Sequence, residues 1–489
     1  MINNKILKIL GMLLGFLSFS MLPSILWSLY FNESNEILSL SYSIIITLAF
    51  ALILYFSSYL FKENKYDISS IDAFTIVTVG WFLTALFGSF PYYFSMNNLS
   101  FIDCFFESMS GFTTTGATIL GNSSIPIETL GHGLLFWRSF THFLGGMGII
   151  VFSIALLPLL GIGGVQLFRA EVAGPTADKI TPRIKQTAKL LWSIYVTFIL
   201  IETLLLYAFG MSFFDSICHS FATMATGGFS THSSSIAHFN SPLIEWTVLI
   251  FMFIAATNFT LHYIFLGNFK FKYYKDDEFK FYFILFLVIT IVIAINLIMN
   301  NLYASNFDSI RHAAFTTISL LSTTGFTTEN FEVWPHLSIT LCFFLFFIGG
   351  SAGSTTGGLK IIRTVLIFKY LYFELKKLLH PNVVYNIKIG KKIINEDVIK
   401  NTLGFYLFYI MIFVLFSIFI SFYNIDLITS ITLSASSLGN IGPGLGTIGP
   451  YDNWGHLPNA VKIISSFCML LGRLEIFTVM VLVSRIFFK

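Results

Sequence analysis

Long apolar stretches recur along the whole 489-residue chain and limit what it can fold into. A helix needs roughly 20 such residues to cross a bilayer. The chain is 55% apolar, only 11% charged and has a mean hydropathy of +0.79, so a soluble fold could not cover it with polar surface. Disorder is excluded, because disordered chains combine low hydrophobicity with high charge. We predict an all-helical membrane protein with about ten spans, near residues 7–31, 37–61, 70–92, 133–160, 187–210, 243–266, 279–300, 336–350 with 357–375, 400–422 and 457–487.

The lysine and arginine residues predict the orientation of these spans. If the N-terminus is cytoplasmic and the spans alternate, 24 of the 28 basic residues lie on the inner side. Positive charge concentrates on the cytoplasmic side of membrane proteins. The inner segments are then 1–8, 62–68, 165–189, 267–280, 360–400 and the C-terminus. The net charge of +3 is too small to favour nucleic-acid binding, so the bilayer is the expected surrounding.

Four short segments share one pattern: an Asp, about a dozen semi-apolar residues and a glycine motif. They read FIDCFFESMSGFTTTGAT, FFDSICHSFATMATGGFST, NFDSIRHAAFTTISLLSTTGFTT and NIDLITSITLSASSLGNIGPG. Such runs are too short to span a bilayer and suit re-entrant half-helices. We predict that the leading Asp is the N-cap of each half-helix, at Asp103, Asp215, Asp308 and Asp426. The corresponding glycines lie 112, 97 and 117 residues apart, which indicates four similar units, at Gly116, Gly228, Gly325 and Gly442.

Irregular backbone at membrane depth must be buried in protein or line a watery cavity. Four glycine loops around a pseudo-fourfold axis would form a ring of carbonyls that replaces the hydration shell of a potassium ion. The half-helices would aim the negative ends of their dipoles at the cation, and the threonine hydroxyls at 113–115, 226, 323 and 324 add oxygen ligands. Glycines in membrane helices also serve close packing, which is the alternative interpretation of each motif taken singly.

Two further features of the sequence are unusual for membrane-spanning helices. The segment GGSAGSTTGG at 349–358 cannot continue a helix, since each glycine costs about 1 kcal/mol relative to alanine. Arg473 lies near the middle of the last predicted span, and a charge inside the membrane is costly enough to suggest a function. A structural ion pair is the alternative role for Arg473, although Glu475, on another helix face, would be a poor partner.

Together with FWRSFTHFLGGMGI (136–149), IGGSAGSTTGGLKIIR (348–363) and LGRLEIFT (471–478), these loops give the chain a family resemblance. It resembles the TrkH family of bacterial potassium-uptake subunits, in the superfamily with KtrB, over essentially its whole length. The fourth loop departs from the TTGF form and reads GNIGP, while Gly116, where sodium-selective plant relatives often carry Ser, favours potassium. The resemblance implies filter residues Thr113, Thr114, Thr115, Gly116, Ala225, Thr226, Gly227, Gly228, Ser322, Thr323, Thr324, Gly325, Asn440, Ile441 and Gly442. It implies gate residues Gly349, Gly350, Ser351, Gly353, Ser354, Thr355, Thr356, Gly357, Gly358 and Arg473.

The resemblance also implies the organisation and partners of the chain. Two N-terminal helices (1–68) would precede pore repeats at 69–164, 165–269, 270–392 and 393–489, with the gating segment in the third. It implies a homodimer in the inner membrane of a bacterium, a cytosolic nucleotide-binding ring of the TrkA type as regulator, and potassium as transported ion without a tightly bound cofactor. A symporter coupled to sodium or protons is the alternative. An intramembrane enzyme is disfavoured, because no nucleophile–base pair or metal motif lies on the spans.

Overall fold

The computed structural model describes residues 4–60, 69–96, 98–121, 124–146, 184–268, 272–380, 387–390 and 392–487. The predicted cytoplasmic basic residues within 62–68 and 165–183 lie outside the described residues. So do the end of the predicted span 133–160 and residues 147–149 of the FWRSFTHFLGGMGI motif. Nearly all regular structure in the described part is helical.

We number the described helices in chain order. They are α1 Asn4–Ser20, α2 Leu22–Tyr30, α3 Ser34–Ser57, α4 Ser70–Gly88, α5 Phe90–Ser95, α6 Phe101–Phe112, α7 His132–Gly146, α8 Ile184–Ala208, α9 Phe213–Met224, α10 Pro242–Ala255, α11 Phe259–Asn268, α12 Asp277–Met299, α13 Asn306–Leu321, α14 His336–Leu345, α15 Ile361–Leu379, α16 Glu396–Ser421, α17 Leu427–Gly439, α18 Asn459–Arg473 and α19 Phe477–Phe487. Two short strands, β1 Lys388–Ile389 and β2 Lys392–Ile393, pair as an antiparallel hairpin.

The predicted class, an all-helical membrane protein, is confirmed. Within the described ranges six helical segments are long and apolar enough to cross a membrane, or seven if the bent pair α10–α11 counts as one. The six are Asn4–Tyr30, Ser34–Leu60, Ile71–Ser95, Lys189–Ala208, Asp277–Met299 and Glu396–Ser421. Many of their apolar side chains face outward, for example Leu204 and Ile284, as expected for helices that contact lipid.

Two predicted continuous spans are broken, and those predictions were wrong. The predicted span 243–266 bends by 99° between α10 and α11. Backbone groups at this bend bond to the 349–358 segment: Ala256 O accepts from Ser351 N at 2.9 Å, and Phe259 N donates to Gly353 O at 3.1 Å. The predicted span 457–487 breaks where α18 ends, and Arg473 is the last residue of that helix.

The half-helices of the four repeats are α6, α9, α13 and α17. The predicted N-cap is correct only for α17, where the Asp426 side chain accepts from Thr429 N at 3.0 Å. In the other three a serine caps the helix and the aspartate lies three residues later, as Ser100 with Asp103, Ser212 with Asp215 and Ser305 with Asp308. A serine hydroxyl fits the N-cap, and an acidic residue in the first turn favours the positive end of the helix dipole.

Candidate functional site

All four half-helices end in the same backbone motif. In α6, Thr114 is left-handed (φ 52°) and Thr115 N donates to Ser110 O, five residues back, at 2.9 Å. This is a Schellman ending, which usually places glycine at the left-handed position. The equivalent left-handed residues are Thr226, Thr323 and Asn440, and the equivalent bonds are Gly227 N to Ala222 O (2.8 Å), Thr324 N to Ser319 O (2.9 Å) and Ile441 N to Ser436 O (3.1 Å).

A second left-handed residue follows two positions later in each repeat and is always glycine. Gly116, Gly228 and Gly325 have φ of 78°, 79° and 79°, and Gly442 has φ of 100°. Side chains disfavour these angles, so glycine relieves strain at each position. The four segments 113–117, 225–229, 322–326 and 439–443, which we call the glycine loops, therefore share one backbone conformation despite their different sequences.

The glycine loops form a closed ring. The contacts are clear from the space around the four left-handed glycines, because a Cβ on any of them would overlap the backbone of another loop. Repeat one meets repeat two, two meets three, three meets four, and four meets one, through Gly116 with Gly227 O, Gly228 with Thr324 O, Gly325 with Ile441 O and Gly442 with Thr115 O. Only a cyclic arrangement about one axis produces this order of contacts.

The sequence of the fourth loop departs most from the others, and the structure gives the departure a role. Asn440 occupies the left-handed position held by threonine elsewhere, a conformation that asparagine tolerates well. Its amide nitrogen donates to Thr115 Oγ1 at 3.0 Å and to Met469 O at 2.9 Å. Asn440 thus joins the fourth loop to the first and to α18.

The threonine hydroxyls suggested as ion ligands mostly have partners within the protein. Thr113 Oγ1 lies 2.8 Å from Thr115 Oγ1, and Ser322 Oγ lies 2.7 Å from Thr324 Oγ1. Two buried oxygens at the left-handed positions differ: Thr114 Oγ1 and Asn440 Oδ1 have no hydrogen-bond partner among the described residues. Buried polar atoms without partners are uncommon, so these two oxygens are candidates for contact with an ion or water.

A small cavity lies on the side of the ring away from the half-helices. All four left-handed glycines line it, and so do Arg138 and Asp452. One basic and one acidic side chain therefore border the cavity beside the ring.

A buried ion pair between Arg138 and Glu107, which was not predicted from the sequence, contacts the ends of the first two loops. Arg138 Nε donates to Glu107 Oε1 at 2.7 Å, and both side chains are at most 2% exposed. Arg138 also donates to Ser230 O at 2.7 Å and stacks on Phe229, so it holds the exit of the second loop. Glu107 accepts from Ile119 N at 3.0 Å just after the first loop. The available signal was that Arg138 is one of four basic residues that do not fit the inner-side charge bias.

The 349–358 segment is not helical and lies against the C-terminal ends of the half-helices. Thr355 Oγ1 donates to Met224 O, the last residue of α9, at 3.0 Å. Gly357 N donates to Thr323 Oγ1 in the third loop at 2.8 Å, and a Cβ on Gly357 would meet Asn440 in the fourth loop. The segment therefore lies next to three of the four repeats, opposite the small cavity.

Arg473 is close to this segment. Its guanidinium donates to Thr355 O at 2.7 Å and to Gly145 O at 2.6 Å, at the end of α7. The poor pairing predicted between Arg473 and Glu475 agrees with the structure, in which Glu475 instead forms an ion pair with Arg363 at the start of α15. The reason differs, because Glu475 follows the end of the helix and has a left-handed backbone (φ 51°).

Comparisons with known proteins agree with these features. The family model described as "TrkH: Cation transport protein" matches residues 41–487. The Trk system potassium uptake protein TrkH of Escherichia coli is 42% identical over 387 residues, 79% of each chain, and that of Vibrio parahaemolyticus is 40% identical over 389 residues. The crystal structure of the potassium transporter TrkH from Vibrio parahaemolyticus superposes with a TM-score of 0.88 at 36% identity and covers 99% of both chains. The chain therefore belongs to the TrkH family of cation transport proteins.

Proposed function

We propose that this chain takes up potassium across a bacterial inner membrane through the ring of glycine loops. The observation that carries the proposal is the cyclic order of contacts among the four loops. The relatives cited above are named as potassium uptake proteins, and the ring supplies what such an ion needs. A dehydrated potassium ion requires several oxygens around one point, and four equivalent backbones around an axis present them.

Potassium is the substrate, and the protein acts on it by replacing its water. The ion enters from the small cavity and exchanges its hydration shell for loop carbonyls, while Thr114 Oγ1 and Asn440 Oδ1 are free to accept contacts deeper in the site. The half-helices end at the loops, so their C-terminal dipoles favour a cation. A membrane potential supplies about 2.3 kcal/mol per charge per 100 mV, and this drives inward movement.

The 349–358 segment is the proposed gate. Its contacts with Met224, Thr323 and Asn440, beside the glycine loops, support this role. The guanidinium of Arg473 lies at the same level and repels cations there. Conduction then requires the segment and Arg473 to move apart. We assign the movement to a cytosolic nucleotide-binding ring of the TrkA type, and we expect the chain to be a homodimer with a cytoplasmic N-terminus. The family resemblance supports these assignments.

Two measurements test the proposed function. Expression in a bacterium that lacks its own potassium uptake should restore growth at low potassium. Purified protein in planar bilayers should give single-channel currents with turnover far above that of a carrier. Potassium flux that stops without sodium or a proton gradient would contradict a pore and support the symporter.

A further inference from the structure

The N-terminal end of α12 holds three consecutive carboxylates that have separate partners: Asp276, Asp277 and Glu278. Asp276 is the N-cap of α12 and accepts from Phe279 N at 2.8 Å. Asp277 and Glu278 are not needed for capping and bond to other parts of the chain. From the sequence alone we interpret the segment between Lys270 and Lys280 as an ordinary solvated loop, where a partner could dock.

Glu278 joins the proposed gate to the start of α15. Its Oε1 accepts from Ala352 N at 2.7 Å, within the 349–358 segment, and from Ile362 N at 3.1 Å, in the first turn of α15. One oxygen atom therefore joins two points of the chain that are ten residues apart. The side chain is only 6% exposed. A buried carboxylate needs strong compensation, and here backbone N–H groups, one of them at a helix N-terminus, provide part of it.

Asp277 extends the connection to the hairpin β1–β2. Its Oδ2 accepts from Gly390 N, in the hairpin turn, at 2.9 Å and from Lys369 Nζ at 3.1 Å. Lys369 also donates to Lys388 O at 2.8 Å. The hairpin belongs to the lysine-rich region 360–400 that the charge distribution puts in the cytoplasm. A chain of direct contacts thus runs from the hairpin through Asp277 and Glu278 to the gate.

We propose that Glu278 is a positioning residue that holds the 349–358 segment in its closed position, and that Asp277 connects it to the cytoplasmic hairpin. A protein that displaces the hairpin would pull on the start of α12 and release the segment. This inference rests on the proposed function, since it assumes that the segment is the gate. The contacts themselves can be tested separately from conduction.

The test is amide hydrogen exchange of the full-length protein, compared with potassium flux in proteoliposomes. Glu278→Ala should increase exchange in peptides covering 349–362 by at least about tenfold, because both hydrogen bonds to Glu278 Oε1 are lost. Glu278→Gln should keep most of the protection, since both donors meet a single oxygen that an amide can replace. The matched control is Glu396→Ala, which removes an exposed carboxylate of α16 that pairs with Lys400 at the surface. Asp277→Ala should increase exchange at 387–390.

The outcomes separate the two ideas. Loosening in Glu278→Ala, with the Gln and Glu396 variants unchanged, supports the positioning role, and a rise in flux in the same variant supports the gate. Loosening without a change in flux keeps the positioning role and contradicts the gate of the proposed function. Unchanged exchange in Glu278→Ala, or equal loss in the Ala and Gln variants, overturns the positioning role. Unchanged exchange at 387–390 in Asp277→Ala overturns the connection to the hairpin.

Discussion

Four residues with side chains hold a left-handed backbone where the half-helices end: Thr114, Thr226, Thr323 and Asn440. For residues other than glycine this conformation costs on the order of 1–2 kcal/mol each. Strain of this kind persists only where the surroundings enforce it, and it tends to cluster at functional sites. The same strain at the same place in all four repeats indicates that the ring needs this backbone.

Replacing a ring glycine should therefore abolish transport through a steric effect. In Gly228→Ala, the added Cβ would overlap Thr324 O and displace the third loop. We expect loss of growth at low potassium or loss of selectivity over sodium. The matched control is Gly210→Ala, where φ is 106° but no atom lies within 4 Å of the new Cβ. Equal transport by the two variants would contradict the role of the ring.

The Arg138–Glu107 pair should stabilise the fold around the ring. Glu107→Gln leaves a buried guanidinium without its counter-charge, a change that typically costs 3–5 kcal/mol. All four cysteines are free and buried, so a thiol-reactive dye reports unfolding on heating. We expect a clear fall in the unfolding temperature of Glu107→Gln and none for Glu396→Gln at the exposed α16 pair. An unfolding temperature equal to wild type would show that the buried pair is dispensable.

At the scale of elements, the breaks in the helices accommodate the gate. The bend between α10 and α11 supplies backbone groups that bind the 349–358 segment, and the end of α18 puts Arg473 against Thr355. The segment is held by hydrogen bonds from its backbone and hydroxyl groups to neighbouring helices and loops.

Loosening one of these contacts should open the pore without a partner. Thr355→Val removes the hydroxyl that donates to Met224 O, and we expect higher potassium flux from the purified protein alone. Thr364→Val is the matched control, because the Thr364 hydroxyl on α15 is buried and has no hydrogen-bond partner among the described residues. Potassium flux that rises equally in both variants, or in neither, would contradict the idea that the Thr355 hydrogen bond holds the 349–358 segment in place.

The positions of the glycine loops and of the 349–358 segment could be predicted from spacing and composition. The bend after Ala255 could not be predicted, because Ala256, Thr257 and Asn258 include no proline or glycine. The bend depends instead on hydrogen bonds with a distant segment, 349–358. The prediction that an aspartate is the N-cap was wrong in three half-helices for a local reason, because a Ser-x-x-Asp sequence places the serine at the N-cap. The role of Glu278 depends on residues 74 and 84 positions away, which no local pattern reveals.

At the scale of the whole molecule, the lysine and arginine residues fall into two groups. Most basic residues lie on the inner side of the predicted topology. The four exceptions are all engaged inside the protein: Arg138 with Glu107, Arg311 with Glu245, Lys462 with Asp103, and Arg473 with backbone carbonyls. Charges that are paired in this way need not follow the orientation rule, so they do not weaken the predicted topology.

The central claim is that the four glycine loops bind a dehydrated monovalent cation on a shared axis. Crystals grown with thallium or rubidium, which substitute for potassium and scatter anomalously, test it directly. The account predicts anomalous density on the axis of the ring, within contact of the carbonyls of all four loops, and its loss in Gly228→Ala. Density elsewhere in the protein, with none inside the ring, would contradict the claim.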